Sequence, residues 1–201
     1  MGPHEELSYA FNDIARDRDN HCVIITGTGN ACCSEIDASA GRGVSIRGDG
    51  PPQPAGVLST TWDHIYSDAK YLLMNHLNIE VPIIAAVDGP ALIHAEIAVL
   101  CDIVLASENA AFQDAPHFPN AIVPGDSVHI VWPLLLGPNR GRYFVLTGQE
   151  LSAQEAFDLG VILPQERLLP RAWELARQIT IARGALRACR ADSTAQKADA
   201  R

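Results

Sequence analysis

Two residues in the middle of the chain have side chains suited to proton transfer. His117 and Asp126 lie on the segment FQDAPHFPNAIVPGDSVHIVW, which is rich in proline and glycine and is therefore predicted to form turns and not one helix face. An imidazole can act as a general base near neutral pH, and a carboxylate can fix its tautomer and stabilise its cation. The pair therefore predicts a base dyad.

A second histidine, His94, precedes this segment in the apolar run ALIHAEIAVL. A single histidine in such a run is more commonly a hydrogen-bonded core residue than a catalytic one. The occurrence of His94 close to His117 and Asp126 in the sequence favours a site, with His94 as a hydrogen-bond donor. Both interpretations remain open from these residues alone.

The composition predicts one soluble globular domain. The chain has 201 residues, 47% hydrophobic and 19% charged, which is enough to build one sizeable core. The formal net charge of -9 argues against nucleic acid as a partner. Apolar runs are interrupted by charged or polar residues, so no membrane span is expected.

The cysteines predict a reducing compartment. There are five of them, an odd number without Cys-x-x-Cys spacing, which argues against a disulfide framework and a structural zinc site. The N-terminus MGPHEELSYAF lacks the features of a signal peptide. We therefore expect a cytoplasmic location and no bound metal.

Periodic segments predict an α/β fold. Apolar positions at helical spacing predict helices over residues 4–18 and 60–78, and short apolar runs predict strands over 22–26, 81–89 and 102–107. ALIHAEIAVLCD, between the last two strands, is predicted to be a buried helix. Residues 41–56 are predicted to form a loop. Sites in such folds gather where strands end.

The C-terminal third is predicted to be helical. SVHIVWPLLLG has helical spacing, Ser152 and Glu155 form a capping-box pattern, and Pro170 opens a helix with Trp173, Ala176 and Ile179 on its apolar face. Residues 183–201 are rich in Ala and Arg, and we expect them to be a disordered or non-native-like tail. The domain is therefore expected to span residues 1–182.

The Gly-x-Gly in GTGN is weak evidence for nucleotide binding because no third glycine follows.

Three segments resemble the crotonase (enoyl-CoA hydratase/isomerase) superfamily. They are VIITGTGNACCSEID, PIIAAVDGPALIHAEIAVLCDIVLAS and FQDAPHFPNAIVPGDSVHIVWPLLLGPNRGRYFVLTGQELSAQEAFDLGVI. The resemblance covers roughly residues 5–182. It implies a crotonase-type ββα spiral core, with incomplete N-terminal strands and C-terminal helices in this chain, and a homo-trimer or hexamer.

Several residues differ from a typical hydratase. Leu92-Ile93-His94 replaces a glycine triplet, His117 replaces a catalytic glutamate, Asp126 replaces a small residue and Glu35 replaces a glycine. With the strings HAEI and FQDAPHFPNAIVPGDSVHIVWP, these changes resemble the β-diketone hydrolase branch, which includes 6-oxocamphor hydrolase.

That resemblance implies hydrolysis of a carbon–carbon bond in a cyclic or bicyclic β-diketone by retro-Claisen water attack. His117 with Asp126 would activate the water. His94 would stabilise the oxyanion, helped by a backbone N–H near Ile36. Glu96 is a secondary substrate-binding candidate, with a structural role equally open. No cofactor is expected, and the partner would be a small-molecule cyclic diketone.

Two alternatives to this function stay open. One is an enoyl-CoA hydratase or isomerase, which keeps the fold but lacks most of the hydratase carboxylates and glycines. The other is an inactive crotonase-like fragment, because the chain lacks an N-terminal strand pair, a tryptophan and an acidic residue that the branch supplies from its two ends. On this basis we expect a chain truncated at both ends.

Overall fold

The computed structural model describes residues 3–34, 59–164 and 166–198. Helices and strands alternate along most of this part of the chain. In order, the elements are α1 (Pro3–Arg16), β1 (Val23–Thr26), α2 (Ser59–Leu77), β2 (Ile83–Val87), β3 (Pro90–Ala91), α3 (Ala95–Val99), β4 (Ile103–Ala106), β5 (Ala111–Phe112), a 3₁₀ helix (Phe118–Asn120), α4 (Val128–Leu136), α5 (Pro138–Thr147), β6 (Leu151–Ser152), α6 (Ala153–Asp158), β7 (Leu163–Pro164) and α7 (Leu168–Ala198).

The strands form two small sheets. In the first, β1, β2, β4 and β7 lie side by side in that order, and all neighbours are parallel. In the second, β5 lies between β3, to which it is parallel, and β6, to which it is antiparallel. Parallel neighbours need crossover connections, and helices supply them here. The α/β fold expected from the sequence is confirmed.

The central strand β2 separates two apolar clusters. All five of its residues are buried. Because side chains alternate along a strand, Ile84 and Ala86 pack in the cluster that includes Ala172 and Ala176 of α7, whereas the other β2 residues join the main cluster. The main cluster also contains residues of α1, α2, α3, α4 and α5. The sheet is therefore covered by helices on both faces.

Three aromatic rings fix the second sheet against α4 and α5. Trp132 of α4 and Phe112 of β5 are completely buried, and their ring centroids lie 6.5 Å apart. Phe144 of α5 lies 4.4 Å from the Trp132 ring. These contacts join the segments that precede and follow the turn-rich stretch with His117 and Asp126.

The region around His94 differs from the sequence prediction. A helix was expected through ALIHAEIAVLCD, but α3 covers only Ala95–Val99. Pro90 and Ala91 instead pair with β5, and Cys33 forms an isolated bridge with Ala91. His94 has a left-handed backbone with φ of 53°, which cannot continue a helix. Strand pairing on one side and this turn on the other therefore shorten α3.

The C-terminal helices confirm the predicted capping box and modify the predicted apolar face of α7. Ser152 and Glu155 form both hydrogen bonds of the capping box at the start of α6. The core face of α7 contains Leu168, Ala172 and Ala176, whereas Trp173 is more than half exposed, because position 173 lies about 100° around the helix from 172.

Helix α7 continues to Ala198, through most of the segment that we expected to be disordered. Alanine and arginine are strong helix formers, which accounts for helical backbone in a stretch with few large apolar residues. The domain boundary at residue 182 stays a prediction. None of the helices in the described ranges is long and apolar enough to cross a membrane.

Candidate active site

Backbone hydrogen bonds join the segment that precedes His94 to the segments around Cys33 and Ala115. The N–H groups of Leu92 and Ile93 both donate to the carbonyl of Cys33, at 2.8 and 3.0 Å, and the N–H of Ala115 donates to the carbonyl of Leu92 at 3.0 Å. Because β3 and β5 are parallel, their carboxyl ends lie at one edge of the sheet. The residues that follow them, His94 and His117, are therefore brought to the same place.

The ring of His117 is held by a carboxylate that the sequence analysis did not identify. Nδ1 of His117 donates to Oδ1 of Asp114 over 2.6 Å. Both residues are buried, with 8% and 3% of their surface exposed. This separation is short for an N–H···O bond, as expected for a charge-assisted one.

Asp126 faces the opposite side of the same ring. Its Oδ2 lies 3.6 Å from Nε2 of His117, and its side chain is 26% exposed. That separation is an ion-pair distance and exceeds a hydrogen bond. Asp126 therefore lies beside His117, but Asp114, and not Asp126 as expected, forms the hydrogen bond that orients the ring.

The two carboxylates favour the cationic form of His117. Burial alone would lower the pKa of His117, but the hydrogen bond to Asp114 and the facing Asp126 outweigh burial and raise the pKa to about 10. The His117 ring in turn holds the pKa of Asp126 below its usual value, and the positive charge of His94 acts in the same direction.

His94 belongs to a second histidine–carboxylate pair. Its Nδ1 donates to Oε1 of Glu96 over 2.7 Å, and Glu96 is 2% exposed. Burial opposes the cation of His94, but the hydrogen bond and charge of Glu96, together with Asp126, leave its pKa raised. His117 also affects the pKa of His94 through its charge, so the two pairs belong to one electrostatic cluster.

The second nitrogen of His94 contacts His4, on the first turn of α1. The two Nε2 atoms are 2.6 Å apart, and the rings meet edge to face. Burial and the charge of His94 lower the pKa of His4, whereas that of His94 is raised. The proton in this contact therefore belongs to His94, which donates to a neutral His4.

The described site thus contains four of the five residues proposed from the sequence. His94, His117, Asp126 and Glu96 lie in one cluster, whereas Ile36 lies outside the described residues, as do Glu35 and the loop expected over 41–56. Glu96 is buried and bonded to His94, so it does not lie on a helix surface, and its substrate-binding role stays a prediction. Two members of the cluster, Asp114 and His4, were not predicted from the sequence.

A surface groove elsewhere lacks this chemistry. It has a volume of about 560 Å³ and lies between α5 and α6, lined by residues such as Arg140, Tyr143 and Asp158. None of the clustered histidines or their carboxylate partners contributes to it. In the ranges that the structure covers, no three or more His, Cys, Asp or Glu side chains are arranged so that they could hold one metal ion. The histidine cluster is therefore the candidate active site.

Comparison with known proteins agrees with the fold. A sequence model of the enoyl-CoA hydratase/isomerase family matches residues 3–200. The probable peroxisomal enoyl-CoA hydratase 1 of Arabidopsis thaliana is 30% identical over 178 residues, covering 87% of this chain and 61% of the relative. The chain thus spans less than two thirds of the curated relatives that head the comparison.

Comparison with solved structures also supports the fold. A beta-diketone hydrolase from the cyanobacterium Anabaena sp. PCC 7120, bound to (S)-3-oxocyclohexyl acetic acid, is 48% identical, with a TM-score of 0.77, over 88% of this chain and 67% of that one. An enoyl-CoA hydratase/isomerase from Mycobacterium paratuberculosis is 25% identical, with a TM-score of 0.74, over the same shares of the two chains. The chain belongs to the enoyl-CoA hydratase/isomerase family, the crotonase superfamily.

Proposed function

We propose that the protein hydrolyses the carbon–carbon bond between the two carbonyl groups of a cyclic β-diketone. The observation that carries this proposal is the arrangement of His117, with a carboxylate at each ring nitrogen, beside a second, carboxylate-bonded His94. Such a cluster combines a group that exchanges protons with a group that donates to an oxyanion.

The reaction begins with attack of water on one carbonyl carbon. Neutral His117 takes a proton from the water at Nε2, because Nδ1 is occupied by Asp114. The oxygen of the attacked carbonyl becomes an oxyanion, and His94 donates a hydrogen bond to it from Nε2. Because that nitrogen contacts His4 in the free protein, the substrate oxygen takes the place of His4.

The carbon–carbon bond then breaks, and its electron pair leaves as the enolate of the second ketone. His117, now an imidazolium, returns the proton to the enolate carbon. The products are a ketone and a carboxylic acid, and atoms balance with one water consumed. The second carbonyl of the substrate stabilises the departing carbanion, so this scheme uses only side chains of the cluster.

The similar hydrolase from Anabaena supports this substrate class. Its bound ligand, by name, contains one ketone and one carboxylic acid, the two groups that such a cleavage yields. Joining the carboxyl carbon of that compound to the more distant α-carbon of its ketone gives a bicyclic 1,3-diketone. We take this diketone as the test substrate.

A CoA-thioester reaction is the second candidate. The family match and the Arabidopsis hydratase favour it. The residues at the site disfavour it, because His94 lies where a typical hydratase has a glycine triplet and His117 lies where it has a catalytic glutamate.

Turnover of the two substrate classes by the purified protein separates these candidates. We expect loss of the diketone absorbance with release of one acid equivalent, and no hydration of crotonyl-CoA under the same conditions. Protein shown to be folded by circular dichroism that hydrates the thioester and leaves the diketone intact would contradict the proposal.

The pH dependence of kcat/KM should report the titration of His117. If neutral His117 is the base, the rate constant rises about tenfold per pH unit below the His117 pKa of about 10, until the His94 imidazolium loses the Nε2 proton that it donates to the oxyanion. Asp126→Asn removes a negative charge that raises this pKa, so the rising limb should move to lower pH, with a reduced plateau. The measurement is a pH–rate profile of both proteins.

Glu108→Gln is a suitable control because it removes an exposed carboxylate. Its profile should match that of the wild type. If the rising limb of the pH–rate profile is the same in Asp126→Asn as in the wild type, Asp126 does not belong to the dyad. If the wild-type kcat/KM falls throughout as the pH rises, the reactive form of His117 is the imidazolium.

A further inference from the structure

Asp114 differs from Asp126 in how firmly the fold holds it. It directly follows Gln113, whose N–H donates to the carbonyl of Ala91, and precedes Ala115, whose N–H donates to Leu92. These bonds extend the pairing of β3 with β5 past the end of the strands. The Asp114 side chain is 2% exposed, so sheet backbone and packing fix it together.

The Asp114 carboxylate has one hydrogen-bond partner among the described residues, His117. Oδ1 accepts the His117 bond, and Oδ2 is buried without a hydrogen-bond donor among the described residues. A buried carboxylate needs a compensating donor or cation, and the His117 ring supplies it. Rotation of the ring would leave Asp114 uncompensated, so the contact strongly opposes rotation.

Asp126 lacks these restraints. Asp126 itself has a φ of 44°, and the next residue, Ser127, has a φ of 63°. The Asp126 side chain is about one quarter exposed. Its oxygen is 3.6 Å from Nε2, outside hydrogen-bond range. It can adjust the charge of the ring and contact a reacting water, but it does not hold the ring in place.

We propose that Asp114 is the positioning residue of the site: its hydrogen bond keeps the proton of His117 on Nδ1 and directs Nε2 toward the substrate. This inference rests on the proposed function for its catalytic consequence, but the contact itself is independent of substrate identity. His117 then contacts the reactants, and Asp114 acts only through His117. Asp126 is left on the reactant side of the ring.

Nuclear magnetic resonance of protein labelled with ¹⁵N-histidine tests this contact without substrate. A short charge-assisted bond strongly deshields its proton, so the wild type at neutral pH should give a far-downfield ring N–H correlated with Nδ1 of His117. His117→Gln must remove this resonance, which assigns it. Asp114→Ala should also remove it, whereas Asp126→Asn should retain it.

Asp114→Asn is the second variant, because it keeps the side-chain volume if the alanine variant does not fold. Its neutral amide should shift the resonance strongly upfield and lower the pKa of His117. Persistence of the wild-type resonance in a folded Asp114 variant, or its loss in Asp126→Asn, would overturn the assignment.

Steady-state kinetics of the Asp114 variants test how the positioning contact affects catalysis. On the diketone, the Asp114 variants should lose about 10²- to 10⁴-fold in kcat with a much smaller change in KM, because the ring is misaligned while the binding surface persists. A wild-type protein with the downfield resonance but without diketone turnover would refute the proposed function and leave the positioning contact intact. Undiminished kcat in a folded Asp114 variant would contradict the positioning role.

Discussion

Replacing His117 with alanine is expected to lower kcat on the bicyclic β-diketone by about 10²- to 10⁴-fold, the range that general acid–base groups supply. In the proposed mechanism the same ring takes the proton from water and returns it to the enolate carbon, so its loss affects both steps. The measurement is the steady-state rate of diketone consumption at a pH on the rising limb of the wild-type profile.

His129→Ala is the matched control. His129 lies one residue into α4 and is exposed to solvent, so its removal should leave kcat within a factor of about two of the wild type, as for most surface substitutions. His117→Gln should reproduce the loss seen with alanine while keeping a hydrogen-bond donor near Asp114. Wild-type activity in both His117 variants would exclude His117 from the mechanism.

The largest loss of stability is expected from Trp132→Ala, at about 3–5 kcal/mol in the free energy of unfolding. The indole is fully buried and packs on the rings of Phe112 and Phe144. Its Nε1 has no hydrogen-bond partner among the described residues, so the substitution leaves no acceptor unpaired. The cost comes from lost burial and from the cavity.

Urea denaturation followed by circular dichroism measures this change, and Trp173→Ala is its control. Trp173 is 56% exposed, so the same substitution should lower stability by only about 0.5 kcal/mol or less. Equal midpoints for the two variants, with equal m-values, would show that the aromatic cluster does not support the fold.

Helical and strand periodicity predicted most of the described elements because burial dictates it locally. The stripe beginning at Leu7 gave α1 (Pro3–Arg16), and the pattern around Ser152 gave the start of α6 (Ala153–Asp158). The same reasoning extended α3 too far, because strand pairing at Pro90 and the left-handed backbone at His94 depend on segments distant in sequence.

The site was predictable in its residue types and less so in its contacts. His94, His117 and Asp126 were identified from their types and positions, but Asp114 is only three residues before His117 in a stretch without helical spacing, so nothing in the sequence indicated a contact. The backbone path after β5 brings the two together. His4 approaches His94 from 90 residues away, a contact that only tertiary packing creates.

The left-handed backbone at Asp126 and Ser127 limits how this region can vary among homologues. Left-handed conformations cost a typical L-residue roughly 1–2 kcal/mol, and asparagine, aspartate and glycine adopt them most readily. A homologue with valine or isoleucine at position 126 would lose both the carboxylate and the loop path that aims it at the histidine. These two adjacent positions therefore offer a simple criterion for sorting crotonase sequences that can build this site from those that share only the fold.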